Sequence, residues 1–119
     1  MKIPGPDHPI TIAPAQQRIR VSVDGLVLAE TANALTLREA SYSPVHYIPR
    51  ADVDMTRLTR TDHTTRCPYK GDASYFSIRT SDRALDNAVW SYETPYPAVQ
   101  AIAGYLAFYP DLVAIEPIP

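Results

Sequence analysis

The single cysteine, Cys67, stands beside Arg66 and three residues before Lys70. A thiol attacks as its thiolate, and a nearby cation lowers the pKa at which the thiolate forms. Cys67 and Lys70 are therefore the candidate catalytic residues, with Cys67 as nucleophile and Lys70 or His63 as its helper. On an extended strand His63 shares a face with Cys67 but lies too far along it for direct contact. The competing reading is a small, inert thiol packed in a core.

Arg50 and Lys70 are the candidate anion binders. A guanidinium forks onto a carboxylate or phosphate, while an ammonium acts as a point charge. Gly71, directly after Lys70, lets the backbone approach a ligand closely. Surface ion pairs Arg50–Asp52 and Lys70–Asp72 would use the same residues for little gain. Tyr47, Tyr75, Trp90 and Tyr92 fall in strand-like segments and are candidate pocket walls with polar handles. Two ordinary packing layers are the alternative use of those rings.

Metal chemistry has little to work with. Asp52-Val53-Asp54 offers the paired carboxylates that a Mg²⁺-dependent nucleotidyl transfer needs. No Gly-Ser phosphate motif precedes it, and no Walker-type glycine-rich loop occurs. His8, His46 and His63 are scattered, and one cysteine cannot build the usual structural zinc set. A His46/His63/Cys67 site would require the fold to gather them, so no metal is expected.

The chain has 119 residues, 45% of them hydrophobic, which suits one domain with a real core. The net charge of −2 argues against a general nucleic-acid or membrane-surface binder. Charge is uneven: residues 46–79 hold six basic and four acidic groups, which marks the middle of the chain for an anion site. With one cysteine no internal disulfide forms. The first residues lack an apolar signal segment, and Ala101–Phe108 is too short to span a bilayer, so the expected location is the cytoplasm.

Proline dictates where sheets can lie. It occurs twelve times, but residues 15–43, 50–67 and 69–94 contain none, and those gaps are where ladders can form. Residues 1–17 read as an extended N-terminal arm and 18–119 as one β-rich domain. Arg18–Val23 alternates strictly, then Asp24-Gly25 and an apolar Leu26–Glu30 follow, the pattern of a hairpin. Leu35–Arg38 and Val45–Ile48 read as strands. Asp52 caps one or two helical turns through Leu58, or the stretch is a loop. Asp62–Cys67, Ala73–Thr80 and Asn87–Glu93 continue the sheet, with Phe76 and Ile78 facing away from Tyr75. A short helix follows Pro97, then strand-like Gly104–Tyr109 and an edge at Leu112–Ile115. The expected class is mainly β, in curved antiparallel sheets with one or two short helices.

Three segments carry a resemblance: Tyr47-Ile48-Pro49-Arg50-Ala51-Asp52-Val53; the run His63 to Tyr75 with its Cys-Pro-Tyr-Lys-Gly core; and Trp90-Ser91-Tyr92-Glu93 followed by Ala107-Phe108-Tyr109. Over residues 18 to 116 the chain resembles the bacterial and fungal family called domain of unknown function 427. The resemblance implies a compact β fold, similar to the Mss4-like group, and a label linked to nucleotidyltransferases. It points to Tyr47, Arg50, Asp52, Cys67, Lys70, Gly71, Tyr75, Trp90 and Tyr92 without giving any of them a role. The favoured reading is a domain binding a small anionic molecule around Arg50, Cys67 and Lys70, with enzymatic activity open. The alternatives are a non-catalytic interaction or structural module, as a homodimer for instance, and a nucleotidyltransferase. The cofactor is unknown.

Overall fold

Asp24 and Gly25 both take positive φ, 51° and 80°, the backbone of a two-residue type I′ turn. They join β2 (Arg18–Val23) to β3 (Leu26–Thr31) in a computed structural model that describes residues 1–119. The alternation of β2 is realised as burial: Ile19, Val21 and Val23 point into the core while Arg18 stays exposed. The last strand, β10 (Ala114–Ile118), pairs with the other side of β2 and completes a three-stranded sheet in the order β10-β2-β3.

Ile10–Pro14, inside the stretch read as an arm, forms β1 and pairs antiparallel with β4 (Leu35–Glu39). Pro14 is tolerated because β1 is an edge strand. Beyond β4 lies β5 (Val45–Tyr47), giving the order β1-β4-β5. The third sheet runs β6 (Leu58–Cys67), β7 (Gly71–Arg79), β8 (Ala84–Ser91) and β9 (Ala107–Phe108), all antiparallel. Register shifts interrupt β6–β7 between Arg60 and Thr64, and β7–β8 between Phe76 and Ile78; such bulges bend and twist a strand pair.

The ambiguous stretch after Pro49 becomes two 3-10 turns, Arg50–Asp52 and Met55–Arg57. Asp54, not Asp52, caps the second turn by accepting from the Thr56 amide. A third 3-10 segment, Pro97–Ile102, fills the expected helix after Pro97. The fold is therefore mainly β, three antiparallel sheets with helical structure confined to short turns.

β7 feeds two cores. Phe76 and Ile78 join a cluster with Val21, Leu28 and Val89, whereas Ala73 and Tyr75 join another with Leu37, Tyr47 and Tyr92. Successive side chains on a strand point to opposite faces, so Tyr75 and Phe76 must part company. The second cluster lies between the β1-β4-β5 sheet and the four-stranded sheet. Reciprocal backbone hydrogen bonds between Ile48 and Leu106, of 2.8 and 2.9 Å, tie those two sheets together beside it.

Candidate functional site

Where β4, β5, β7 and β8 converge, a cavity of about 290 Å³ opens on the second core. Its walls are aromatic: Tyr47 from β5, Tyr75 from β7, Trp90 from β8, and Tyr92 and Tyr109 from the chain that follows. Leu37 and Val45 supply aliphatic floor, and Tyr42, 67% exposed, stands at the mouth. Lys70 and Glu39 bring the charge.

The lysine is placed by the turn between β6 and β7. Gly71 adopts φ +106°, and a β-carbon added there would lie 3.6 to 3.7 Å from the backbone of Thr94, Pro95 and Tyr96. The Tyr96 amide donates to the Lys70 carbonyl at 3.0 Å. That packing leaves the Lys70 side chain only 10% exposed, and its ammonium pairs with Glu39 Oε1. His8 Nε2 meets the other oxygen of Glu39 at 2.7 Å. The His8 ring stacks on Tyr69 at 4.0 Å between centroids. Both carboxylate oxygens are thus engaged, whereas two of the three ammonium N–H bonds of Lys70 are not used by Glu39.

The ring hydroxyls form a donor-rich lining. Trp90 Nε1 donates to the Tyr47 hydroxyl at 3.3 Å, which leaves that hydroxyl's own proton free to donate. Tyr75 is shared between Thr65 at 3.0 Å and Tyr109 at 3.4 Å. Tyr92 lines the cavity, and its hydroxyl makes no hydrogen bond to another side chain; since no buried polar side-chain atom lacks a partner, solvent reaches it. Burial pushes the Tyr47 and Tyr92 phenols well above their ordinary value. Burial, then the hydrogen bond with Tyr75, pushes Tyr109 up to about 12. All three remain protonated donors at neutral pH.

Five of the residues singled out in the sequence therefore meet here: Tyr47, Lys70, Tyr75, Trp90 and Tyr92. The others stand apart. Arg50 points to the other face of the four-stranded sheet, its guanidinium 5.5 Å from the Phe76 ring centroid. It donates to Glu93 at 3.2 Å and to the Gly104 carbonyl at 3.2 Å. Asp52 accepts from the Thr31 hydroxyl at 2.6 Å. Cys67 packs against the aromatic cluster without lining the cavity, and Gly71 shapes the turn behind it. The positive surplus of residues 46–79 does not converge either, because Arg60 pairs with Glu93 and Arg66 with Asp72.

The family model for the domain of unknown function DUF427, also labelled NTP_transf_9, matches residues 11–117. The chain belongs to this family. No curated protein matches it. In this DUF427 domain the carboxylates Asp52 and Asp54 are each occupied, one by Thr31 and one as a turn cap. No group of three or more His, Cys, Asp or Glu side chains is placed to share a metal ion. His46 and His63 sit on different sheets, the first bonded to Thr36 and the second edge-on to Tyr75. No helix is long and apolar enough to cross a membrane.

Glu39, His8 and Tyr109 were missed in the sequence. Tyr109 lies in one of the three family-like segments, so its signal was present. Glu39 and His8 had none, since both lie 31 residues or more from the group they reach.

Acidification is expected to destabilise the fold through this region. For Glu39, burial raises the pKa, but hydrogen bonds from Lys70 and His8 outweigh it and hold the carboxyl below 4.5. Burial, then the charge of Arg38, lowers His46 below 6.5. In both cases the unfolded chain takes up protons first as pH falls. Their stability is therefore present above the unfolded values and lost as pH drops through the folded ones. The melting temperature should fall in two stages, one beginning near 6.5 and one near 4.5. Glu39→Gln should shrink the lower stage; a pH-independent melting temperature across that range would contradict the assignment.

Proposed function

We propose that this domain binds a small organic anion whose carboxylate lies on Lys70 and Tyr92 and whose flat body stacks among Tyr47, Tyr75 and Trp90. The observation that carries this reading is the Tyr92 hydroxyl, a solvent-reached donor without a hydrogen bond to another side chain, on a residue that lines the same cavity as a lysine with spare N–H bonds. A carboxylate that displaces water from the cavity would accept from both, and hydrogen bonds to a charged acceptor are the stronger kind. The aromatic walls suit a planar occupant. At about 290 Å³ the space lies at the small end of ligand pockets, typically ~300–1,000 Å³. It suits a single substituted ring better than a nucleoside triphosphate.

Thermal denaturation with added ligand tests this, because a ligand that binds only the native state must stabilise it. Benzoate and 4-hydroxybenzoate should raise the melting temperature in a concentration-dependent way. Nucleoside triphosphates with Mg²⁺ should not, which separates this reading from the one the family label suggests. Tyr92→Phe should weaken benzoate binding about tenfold, the lower end of what a hydrogen bond to a charged group is worth. Stabilisation by triphosphates alone, or equal benzoate affinity in Tyr92→Phe, would remove the proposal.

A further inference from the structure

A second cavity, of about 280 Å³, adjoins the first. The two share Ser43, Val45 and Trp90 as lining, so the indole is the wall between them. Trp90 is held there from the first side. Its Nε1 bonds the Tyr47 hydroxyl, and its ring packs 4.5 Å from that of Tyr109.

The chemistry on the two sides of that wall is opposite. The first cavity has Lys70, Glu39 and the phenols. The second contains no Asp, Glu, Lys or Arg, and beyond the shared residues its lining is His46 with Pro44, Phe108, Pro110 and Ile115. Its one titratable group, His46, has Nδ1 engaged with the Thr36 hydroxyl at 2.9 Å. One cavity is built for a charged head, and its neighbour offers an apolar bed with nothing to pair a charge.

The geometry points to a bipartite ligand: a carboxylic acid whose head occupies the tyrosine cavity and whose hydrocarbon tail crosses the edge of Trp90 into the Pro44–Ile115 cavity. This rests on the head-group reading above and adds the substrate class, an amphipathic aryl carboxylate rather than a polar one. Apolar burial then supplies much of the affinity. Each fully buried methylene contributes about 0.8 kcal/mol, roughly a fourfold gain in affinity.

The test is a series of benzoates carrying 4-methyl to 4-butyl chains, titrated against the intact chain. Trp90 is the only tryptophan, so its fluorescence reports binding on either side of the wall. Affinity should climb by about threefold to fourfold per carbon until the second cavity is full. In Ile115→Phe, which narrows the tail space, that slope should flatten. If benzoate binds and the series is flat, the tail site is wrong and the head site stands. If no member binds, both readings fall. A slope that persists unchanged in folded Ile115→Phe would send the tail elsewhere and overturn the inference. The wild-type series decides the matter by itself should that variant not fold.

Discussion

Replacing Lys70 by methionine is expected to destabilise the fold by about 3 kcal/mol, the lower end of what breaking a buried ion pair costs. The pair is enclosed, with side-chain exposures of 10% for Lys70 and 12% for Glu39. Removing the ammonium leaves a carboxylate in a wall of tyrosine rings with one partner fewer. His8 still meets the second oxygen of Glu39, which is why the lower figure is expected. The double variant Glu39→Leu/Lys70→Met should recover most of the loss, because two charges no longer have to be desolvated. Urea denaturation reads the difference as a shift in midpoint at constant slope. A change of a few tenths of a kcal/mol in the single variant, typical of exposed pairs, would show that water reaches the pair freely. A double variant as unstable as the single one would show that Glu39 is not what Lys70 neutralises.

The partner of Lys70 illustrates what was legible in the sequence and what was not. Features set by neighbours along the chain were readable. Period-two burial in β2, the Asp24-Gly25 turn, and the opposed directions of Tyr75 and Phe76 all follow from local geometry. The proline-free stretches hold every strand except β1, β5, β9 and β10, and those four are short or at sheet margins. Ile10 and Ile12 did alternate, but over too few residues and between prolines, so β1 read as part of an arm. Charge partners were not readable at all. Lys70 could be assigned Asp72 by proximity in sequence, yet Asp72 takes Arg66 at 2.9 Å and Lys70 takes Glu39 from another sheet. Arg50 could be assigned Asp52, yet it finds Glu93, 43 residues away. Sequence spacing fixes which face a side chain leaves from. It does not fix which of several oppositely charged groups the closed fold brings to that face.

Phe76→Ala is expected to be the more damaging core change, costing about 3 to 5 kcal/mol, a large share of a small domain's stability. Phe76 is 4% exposed and packs in the cluster shared with the β10-β2-β3 sheet. Its ring also lies beneath two guanidinium groups, Arg50 at 5.5 Å and Arg60 at 5.0 Å, which Glu93 links through one carboxylate oxygen. Truncation therefore opens a cavity and removes the surface on which the Arg50–Glu93–Arg60 group rests. Phe76→Leu refills part of the volume and should recover part of the stability without the cation contacts. The informative comparison is the adjacent residue. Tyr75→Phe keeps its volume and loses only the hydroxyl shared with Thr65 and Tyr109, so it should cost about 1 kcal/mol. It should nevertheless change ligand binding, which Phe76→Leu should not, since Tyr75 lines the cavity and Phe76 faces away from it. Two neighbours on one strand would then divide stability from binding as the pleat divides their side chains. If Phe76→Leu and Tyr75→Phe instead alter both properties in parallel, the two cores are one, and the separation of Arg50 from the Lys70 cavity fails with it.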